Sequence, residues 1–180
     1  MPNQITGREY VDVCNNYNLP YNRDSIGNTG ENLTLGILGF FSIFRVFFID
    51  GKEPIVDILI EVADEGTPYQ AFAQIKSTTL LPNKQGELKA SIGKDSYNAM
   101  IRRPLPTYLI AADLNKARLN IVPVFRPVQD DVKYVPVTHD LGLDDLDHLA
   151  DELVRFRDDI IDYWHSVNLP MAKTSYQSLL

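Results

Sequence analysis

The sequence is poor in the residues that build cysteine- or histidine-based sites. Cys14 is the only cysteine among 180 residues, which excludes an internal disulfide and a zinc site made of several cysteines. The three histidines, His139, His148 and His165, lack the short spacing of metal-binding histidines. Because so few cysteines are typical of proteins from reducing compartments, we expect a cytoplasmic location.

Long apolar runs, a secretion signal and a phosphate-binding loop are also missing. The apolar run from Ile37 to Ile49 is too short to cross a bilayer and contains Arg45. The first six residues are polar, so no signal peptide is expected. The sequences G-N-T-G and G-I-L-G have neither the length nor the lysine of a nucleotide-binding loop. No association with a membrane is predicted.

A net charge of −7 is unfavourable for binding nucleic acid, but the charge is unevenly distributed. Between Lys76 and Arg118 there are eight basic and three acidic residues, a local charge of +5. Between Asp140 and Asp162 there are nine acidic residues and two arginines. A phosphate backbone responds to the local field more than to the total charge. Nucleic acid is therefore expected to contact the basic region and to be repelled by the acidic one.

The length and the 44% apolar content predict one ordered α/β domain over residues 1–180, with a core at about 28–125. One helix is predicted from a cap at Asn28 or Thr29 to Leu38, with Gly39 as the stop. A second is predicted over Lys94–Arg102. A third, the acidic amphipathic helix, is predicted over Asp144–Val167 (about 144–168). Strands are predicted over Phe40–Asp50, buried on both faces, and over Thr107–Ala112 and Leu119–Phe125. The segment from Leu80 to Gly93 is expected to be an irregular connector.

The stretch from Asp57 to Lys76 predicts an antiparallel hairpin that gathers polar side chains on an apolar sheet. Two runs of alternating character, V-D-I-L-I-E-V and Y-Q-A-F-A-Q-I-K-S, flank a turn predicted at Gly66–Thr67. In that register Asp57 lies opposite Lys76, and Gln74 lies diagonal to Asp57. A carboxylate, an amide and an ammonium group would then share one face of the sheet.

The order Asp57, then Gln74-x-Lys76, resembles the PD-(D/E)XK restriction-endonuclease-like superfamily, in the Mrr-like variant where Gln replaces the middle acid. Thr29-Gly30-Glu31 is similar to the Gly-Glu of a preceding helix that adds a carboxylate in that family. The resemblance covers roughly Asn28 to Val124. It implies a mixed sheet flanked by helices, here with a C-terminal amphipathic helix, and catalytic roles for Asp57, Gln74, Lys76 and Glu31.

Hydrolysis of a phosphodiester requires neutralisation of the phosphate charge and a positioned water. Mg²⁺, or Mn²⁺ in its place, supplies both and binds to oxygen ligands, here expected from Asp57, Gln74 and Glu31. Lys76 would hold the attacking water or stabilise the transition state. The sequence thus predicts a metal-dependent endonuclease, with DNA favoured over RNA and a role in bacterial or phage conflict implied by the resemblance alone.

The expected nucleic-acid contacts lie in the basic region, at Lys84, Lys89, Lys94, Arg102 and Arg103. Three other interpretations stay open. The fold could be a degraded nuclease that binds a protein partner through its acidic helix, or an enzyme that hydrolyses a small nucleotide. Asp57 and Lys76 could also form an ordinary cross-strand ion pair. A homodimer is left open as well.

Overall fold

The computed structural model describes residues 23–40, 43–49, 55–62, 69–137 and 143–166, and these form three helices and seven strands. The helices are α1 (Arg23–Phe40), α2 (Lys94–Met100) and α3 (Leu143–Ser166). The strands are β1 (Phe44–Phe48), β2 (Ile58–Val62), β3 (Gln70–Thr78), β4 (Glu87–Ile92), β5 (Thr107–Asp113), β6 (Arg118–Pro123) and β7 (Val132–Pro136). The predicted α/β class is confirmed.

Five strands form one mixed sheet in the order β1-β2-β3-β5-β6. Neighbouring strands are antiparallel except β3 and β5, which run parallel. A parallel pair requires a crossover connection, and here the chain passes through β4 and α2 between them. β4 pairs with β7 in a second, two-stranded sheet. The expected mixed sheet is therefore present, with a smaller sheet added to it.

Apolar side chains cover both faces of the larger sheet. On one face, Leu38 of α1 and Leu146 of α3 belong to the same buried cluster as Ile110 of β5. On the other face, Met100 of α2 and residues of the small sheet pack with Leu109 of β5. Because successive residues of a strand point to opposite faces, β5 contributes to both clusters. The sheet is thus a middle layer between two unlike covers.

The acidic C-terminal helix, predicted over Asp144–Val167, is confirmed as α3. Its leucines at three- and four-residue steps are buried, while the acids between them are exposed: Leu146, Leu149 and Leu153 inside, Asp147, Asp151 and Asp158 outside. The side chains after Asp159 lie outside the described part of the chain. Within the described ranges no helix is both long and apolar enough to cross a lipid bilayer.

α1 begins earlier than the sequence predicts. A cap was expected at Asn28 or Thr29, but the helix already starts at Arg23, so both residues lie in its interior. Ile26 packs against the buried cluster on this face of the sheet. Because tertiary packing contributes more to helix stability than local propensity does, this contact favours a helix that extends past a good capping residue.

The strand predicted over Phe40–Asp50 is shorter and is not buried on both faces. Among the described strands, β1 lies at the edge of the sheet and pairs only with β2. The side chains of Phe47 and Phe48 are 47% and 52% exposed. Aromatic and β-branched residues indicate a strand, but they do not indicate whether the strand is central or at an edge.

The prediction of an irregular connector from Leu80 to Gly93 is wrong from Glu87 onwards. β4 buries Leu88, Ala90 and Ile92 and leaves the residues between them more exposed, a regular two-residue alternation. The alternation is visible in the sequence but short. Its partner β7 lies beyond β5 and β6 in the chain, so no local hairpin pattern marks the pair.

Three further predictions are confirmed with small changes of boundary. The helix over Lys94–Arg102 is α2, and the strands over Thr107–Ala112 and Leu119–Phe125 are β5 and β6. β6 lies at the edge of the sheet, as expected from Pro123, which has no N–H to donate to a further strand.

Candidate functional site

The hairpin of β2 and β3 forms, but its register differs from the predicted one by two residues. Ile58 pairs with Ala73, so the same register places Asp57 beside Gln74 rather than opposite Lys76. Lys76 instead pairs with Ala111 of β5. A shift of two residues keeps every side chain on its predicted face. The predicted turn at Gly66–Thr67 lies outside the described residues.

Asp57 is fixed where β2 departs from the ladder. Its N–H donates to the carbonyl of Ala73, one residue off the register. The N–H of Ile75 donates to Asp57 Oδ2 at 2.6 Å. In a regular ladder the N–H of Ile75 would pair with a backbone carbonyl of β2, so the carboxylate takes the place of a main-chain acceptor. The half-buried carboxylate is thereby held in one orientation at the end of the strand.

Gln74 is the second partner of the same carboxylate oxygen. Its Nε2 donates to Asp57 Oδ2 at 2.7 Å, and its side chain is buried. A donor at this position stabilises an ionised Asp57, because a carboxylate only accepts hydrogen bonds. The amide oxygen of Gln74 keeps its capacity as an acceptor or ligand. An amide can therefore bridge Asp57 and a further group, whereas a glutamate would repel Asp57.

Glu31 reaches the same place from α1. Gly30 lies so close to the sheet that a Cβ added there would overlap Ser77 Oγ. The same Cβ would lie 2.7 Å from Ser77 Cβ and 3.3 Å from Ala112 Cβ. This close approach brings α1 to the part of β3 that carries Lys76. Burial and the negative charge of Asp57 raise the pKa of Glu31, while the positive charge of Lys76 partly opposes them.

Lys76 completes the group on the face that carries Gln74. Its side chain is half-buried. No ion pair or hydrogen bond joins it to another described residue. Its charge nevertheless acts on Glu31. The predicted ion pair between Asp57 and Lys76 is not formed. The structure thus brings together all four predicted residues, with Asp57 and Gln74 in contact and the charges of Glu31, Asp57 and Lys76 coupled.

The donor set at this site contains two carboxylates and one amide. Among the described residues, no three or more side chains of His, Cys, Asp or Glu are placed to hold one metal ion. One or two carboxylates with neutral oxygen ligands are nonetheless the usual protein contribution to a Mg²⁺ site, where water and substrate phosphate complete the shell. The residues present therefore fit Mg²⁺ and do not fit a zinc site, which requires thiolate or imidazole ligands.

The five predicted nucleic-acid contacts lie in the layer that covers the Gln74 and Lys76 face. Lys84 precedes β4, Lys89 lies on β4, Lys94 begins α2, and Arg102 and Arg103 follow α2. All are exposed except Arg103, which is half-buried. Both β4 and α2 belong to the cover of that face. The basic surface is thus on the side of the sheet from which the amide and the ammonium group of the site extend.

Sequence reasoning missed two features near this site. The first is the close approach of Gly30 to Ser77. No local sequence pattern indicates it, because it depends on which strand residue faces the helix. Asn120 of β6 is fully buried among apolar neighbours, and its only sequence signal is one amide inside an apolar strand. Cavities of about 740 and 400 Å³ lie along β7, lined in part by Asp131, Lys133 and Tyr134, and do not include the four residues.

Two comparisons with known proteins found no match. No protein-family model matches the chain, and no curated protein matches its sequence.

Proposed function

We propose that this chain is a magnesium-dependent nuclease of the restriction-endonuclease-like type, acting on DNA. The order of elements supports the proposal: a helix that carries Glu31, three antiparallel strands, a crossover that contains α2, and a strand parallel to β3. The sequence resemblance described above implies the same order. A role in bacterial or phage conflict follows from that resemblance, a cytoplasmic location follows from the single cysteine, and both belong to the proposal.

The observation that carries the proposal is the fixed carboxylate of Asp57 next to the amide of Gln74. Two hydrogen bonds, of 2.6 and 2.7 Å, go to the same oxygen, Oδ2. Oδ1 is therefore left to bind another group, since within the described residues no hydrogen bond to it is formed. Hydrogen bonds to a carboxylate are charge-assisted and strong, so the two donors hold the carboxylate of Asp57 in one orientation.

The electrostatics of Glu31 support a cation at this place. Burial and the negative charge of Asp57 raise the pKa of Glu31, which disfavours its ionised form, and a bound cation would reverse that effect. Asp57 and Glu31 would hold Mg²⁺ through charged oxygens, and Gln74 through its amide oxygen. When bound, Mg²⁺ supplies charge neutralisation at the phosphate and lowers the pKa of a coordinated water.

Lys76 has the second role at this site. Its ammonium group is a compact charge on a flexible stem that extends from the same face as Gln74. It would stabilise the negative charge that develops on the phosphate oxygens, or hold the attacking water. Preorganised charge of this kind contributes more inside a partly buried site than in open water.

A binding subunit without hydrolytic activity is the second candidate function. Gln74 gives the site one negative charge fewer than an acid would, and the described residues offer two carboxylates rather than three. α3 exposes an acidic face that suits a basic protein partner. In this function the basic surface would still bind nucleic acid, but no bond would be cleaved.

The test is incubation of the purified protein with supercoiled plasmid, single-stranded DNA, RNA and a dinucleotide, each with Mg²⁺ or with a chelator. The proposal requires cleavage of DNA that depends on Mg²⁺. Cleavage of the dinucleotide alone would assign a small-nucleotide hydrolase. Binding of the duplex without cleavage of any substrate would assign the binding subunit.

A further inference from the structure

The small sheet of β4 and β7 has one buried face and one exposed face. Leu88 and Val135 are paired, and both are buried in the cluster that covers one face of the larger sheet. The neighbouring pair, Lys89 and Tyr134, is exposed. Because successive residues of a strand point to opposite faces, Lys89 and Tyr134 extend away from the larger sheet. They form the outer face of the small sheet.

The ring of Tyr134 is accessible on this outer face. The residue is 45% exposed. Within the described residues no cation lies over its ring, although Arg126 lies 5.1 Å from the centre of the Phe125 ring. A ring face that no protein group covers can stack against a planar group of another molecule.

Lys89 places a positive charge beside that ring. Paired residues of neighbouring antiparallel strands have their Cβ atoms about 5 Å apart. Among the described residues, Lys89 forms neither an ion pair nor a hydrogen bond. A nucleotide combines a planar base with an anionic phosphate. A ring next to an ammonium group is therefore complementary to a nucleotide, and this combination is how proteins bind single strands.

A cavity of about 400 Å³ lies at this pair, and its charged lining residues are Lys89, Lys133 and Asp131. The carboxylate of Asp131 is engaged within the protein, since its Oδ1 accepts a hydrogen bond of 2.9 Å from the N–H of Lys94. The lining thus favours an anion. The cavity of about 740 Å³ is less suitable for a phosphate, because three acids and two lysines line it.

The accessible ring favours an unpaired base over a base pair. In a duplex the bases are stacked on one another, so their faces are not open to a protein side chain. An unpaired base exposes its face, and every base has a π-face that can stack on an aromatic ring. The outer face is therefore expected to distinguish a single strand from a duplex and to tolerate any sequence.

We propose that the outer face of the small sheet binds single-stranded DNA, with an unpaired base stacked on Tyr134 and the adjoining phosphate bound to Lys89. The small sheet covers the face of the larger sheet that carries Gln74 and Lys76, so the strand is held on that side of the larger sheet. In a nuclease this site would hold an unpaired part of the substrate. The binding itself does not depend on hydrolysis.

The test is the binding of a labelled single strand, and of a blunt duplex of the same length, to the full-length protein in chelator. Fluorescence anisotropy measures both affinities. Tyr134→Leu should weaken binding of the single strand about tenfold and leave the duplex affinity unchanged. Tyr134→Phe keeps the ring and should bind like the wild type. Lys89→Gln should reduce the salt slope for the single strand by about 0.7, whereas Tyr134→Leu should not change it, because stacking releases no counterions.

The matched control is Phe156→Leu, which removes an exposed aromatic ring from the acidic helix α3 and should leave single-strand binding unchanged. Wild-type affinity of a folded Tyr134→Leu variant for the single strand would overturn the proposal. An equal loss for single strand and duplex, or an unchanged slope in Lys89→Gln, would overturn it as well. If the variants respond as expected and the wild type cleaves no substrate, the binding site stands and the nuclease function fails.

Discussion

Nε2 of Gln74 donates a hydrogen bond of 2.7 Å to Oδ2 of Asp57, at the position where β2 leaves the regular ladder. A second pair of the same chemistry lies further along the hairpin, where Gln70 Nε2 donates to Glu61 Oε2 at 2.9 Å. Both pairs join a glutamine of β3 to an acid on or next to β2. Their surroundings differ: Asp57 lies near Glu31 and Lys76 and also accepts from the N–H of Ile75, whereas Glu61 forms an ion pair with Arg45. The second pair is therefore a natural control for the first.

Gln74→Glu should make the fold depend on metal. In chelator the variant loses a donor and gains a repulsive charge in a buried position, and it should be less stable by about 1–3 kcal/mol. Millimolar Mg²⁺ should restore this loss, because a third carboxylate strengthens the site. Thermal denaturation with and without Mg²⁺ is the measurement. Gln70→Glu should be destabilised without a response to Mg²⁺, and an equal response of both variants would contradict a site at Asp57.

Gly30→Ala should move α1 and with it Glu31. A Cβ at this position meets the side chain of Ser77, so the variant should lose roughly 1–3 kcal/mol of stability, as overpacked sites do. At Gly36 of the same helix an added Cβ would have no other atom within 4 Å. Gly36→Ala should therefore gain up to about 1 kcal/mol. Urea denaturation of both variants checks the pair.

A double variant separates the packing effect from helix propensity. Adding Ser77→Gly to Gly30→Ala removes both atoms that the new Cβ would approach most closely. The two substitutions should show favourable coupling in a double-mutant cycle. Additive losses would mean that α1 does not contact β3 at Ser77.

Glu31→Gln should stabilise the protein at neutral pH while removing its response to metal. The pKa of Glu31 is raised above 4.5 in the folded state, so the unfolded state loses its proton first as the pH rises. Stability is therefore lost with rising pH between 4.5 and the folded pKa. In chelator at pH 7 the variant should melt at a higher temperature than the wild type, and the difference should disappear below pH 4.5.

The matched control for this substitution is Asp147→Asn, which changes an exposed acid of α3. It should leave the pH dependence as it is in the wild type. A Glu31→Gln variant that melts at a lower temperature than the wild type at pH 7 in chelator would show that Glu31 is favourably paired instead.

The sequence named four candidate site residues and the sheet face of three of them, but it did not predict their arrangement. The alternation of β2 and β3 determined which face carries Asp57, Gln74 and Lys76, because a face depends only on the period of the strand. The register depends on the turn, and it differed by two residues. Asp57 consequently accepts a hydrogen bond from Gln74 instead of pairing with Lys76. The charges of Asp57 and Lys76 both act on Glu31, in opposite directions.

The parts of the fold that were predicted poorly depend on contacts distant in sequence. α3 repeats its leucines over several turns, and its limits were predicted within one residue at each end. β4 and β7 are short and pair across two intervening strands, so neither could be recognised locally. Ile26 lies in the part of α1 that precedes the predicted cap, and it packs against the core.

The basic surface should determine affinity rather than cleavage. Lys89→Gln and Arg102→Gln together should reduce the slope of log affinity against log salt by about two units, one for each lost phosphate contact. Fluorescence anisotropy with a labelled duplex in chelator measures the slope. Arg155→Gln, an exposed change on the acidic helix α3, is the control and should leave it unchanged. An unchanged slope in the double variant would place the nucleic acid elsewhere.

The most direct test of the account is the initial rate at which Lys76→Met relaxes supercoiled plasmid in Mg²⁺. The wild type should cut with Mg²⁺ and not in chelator, and Lys76→Met should be slower by about a hundredfold or more, with no recovery in excess Mg²⁺. Asp57→Ala should recover a little, since excess metal offsets a lost ligand. Lys133→Met, an exposed change on β7, should cut like the wild type at saturating DNA. Cleavage by Lys76→Met at the wild-type rate would contradict the proposed active site.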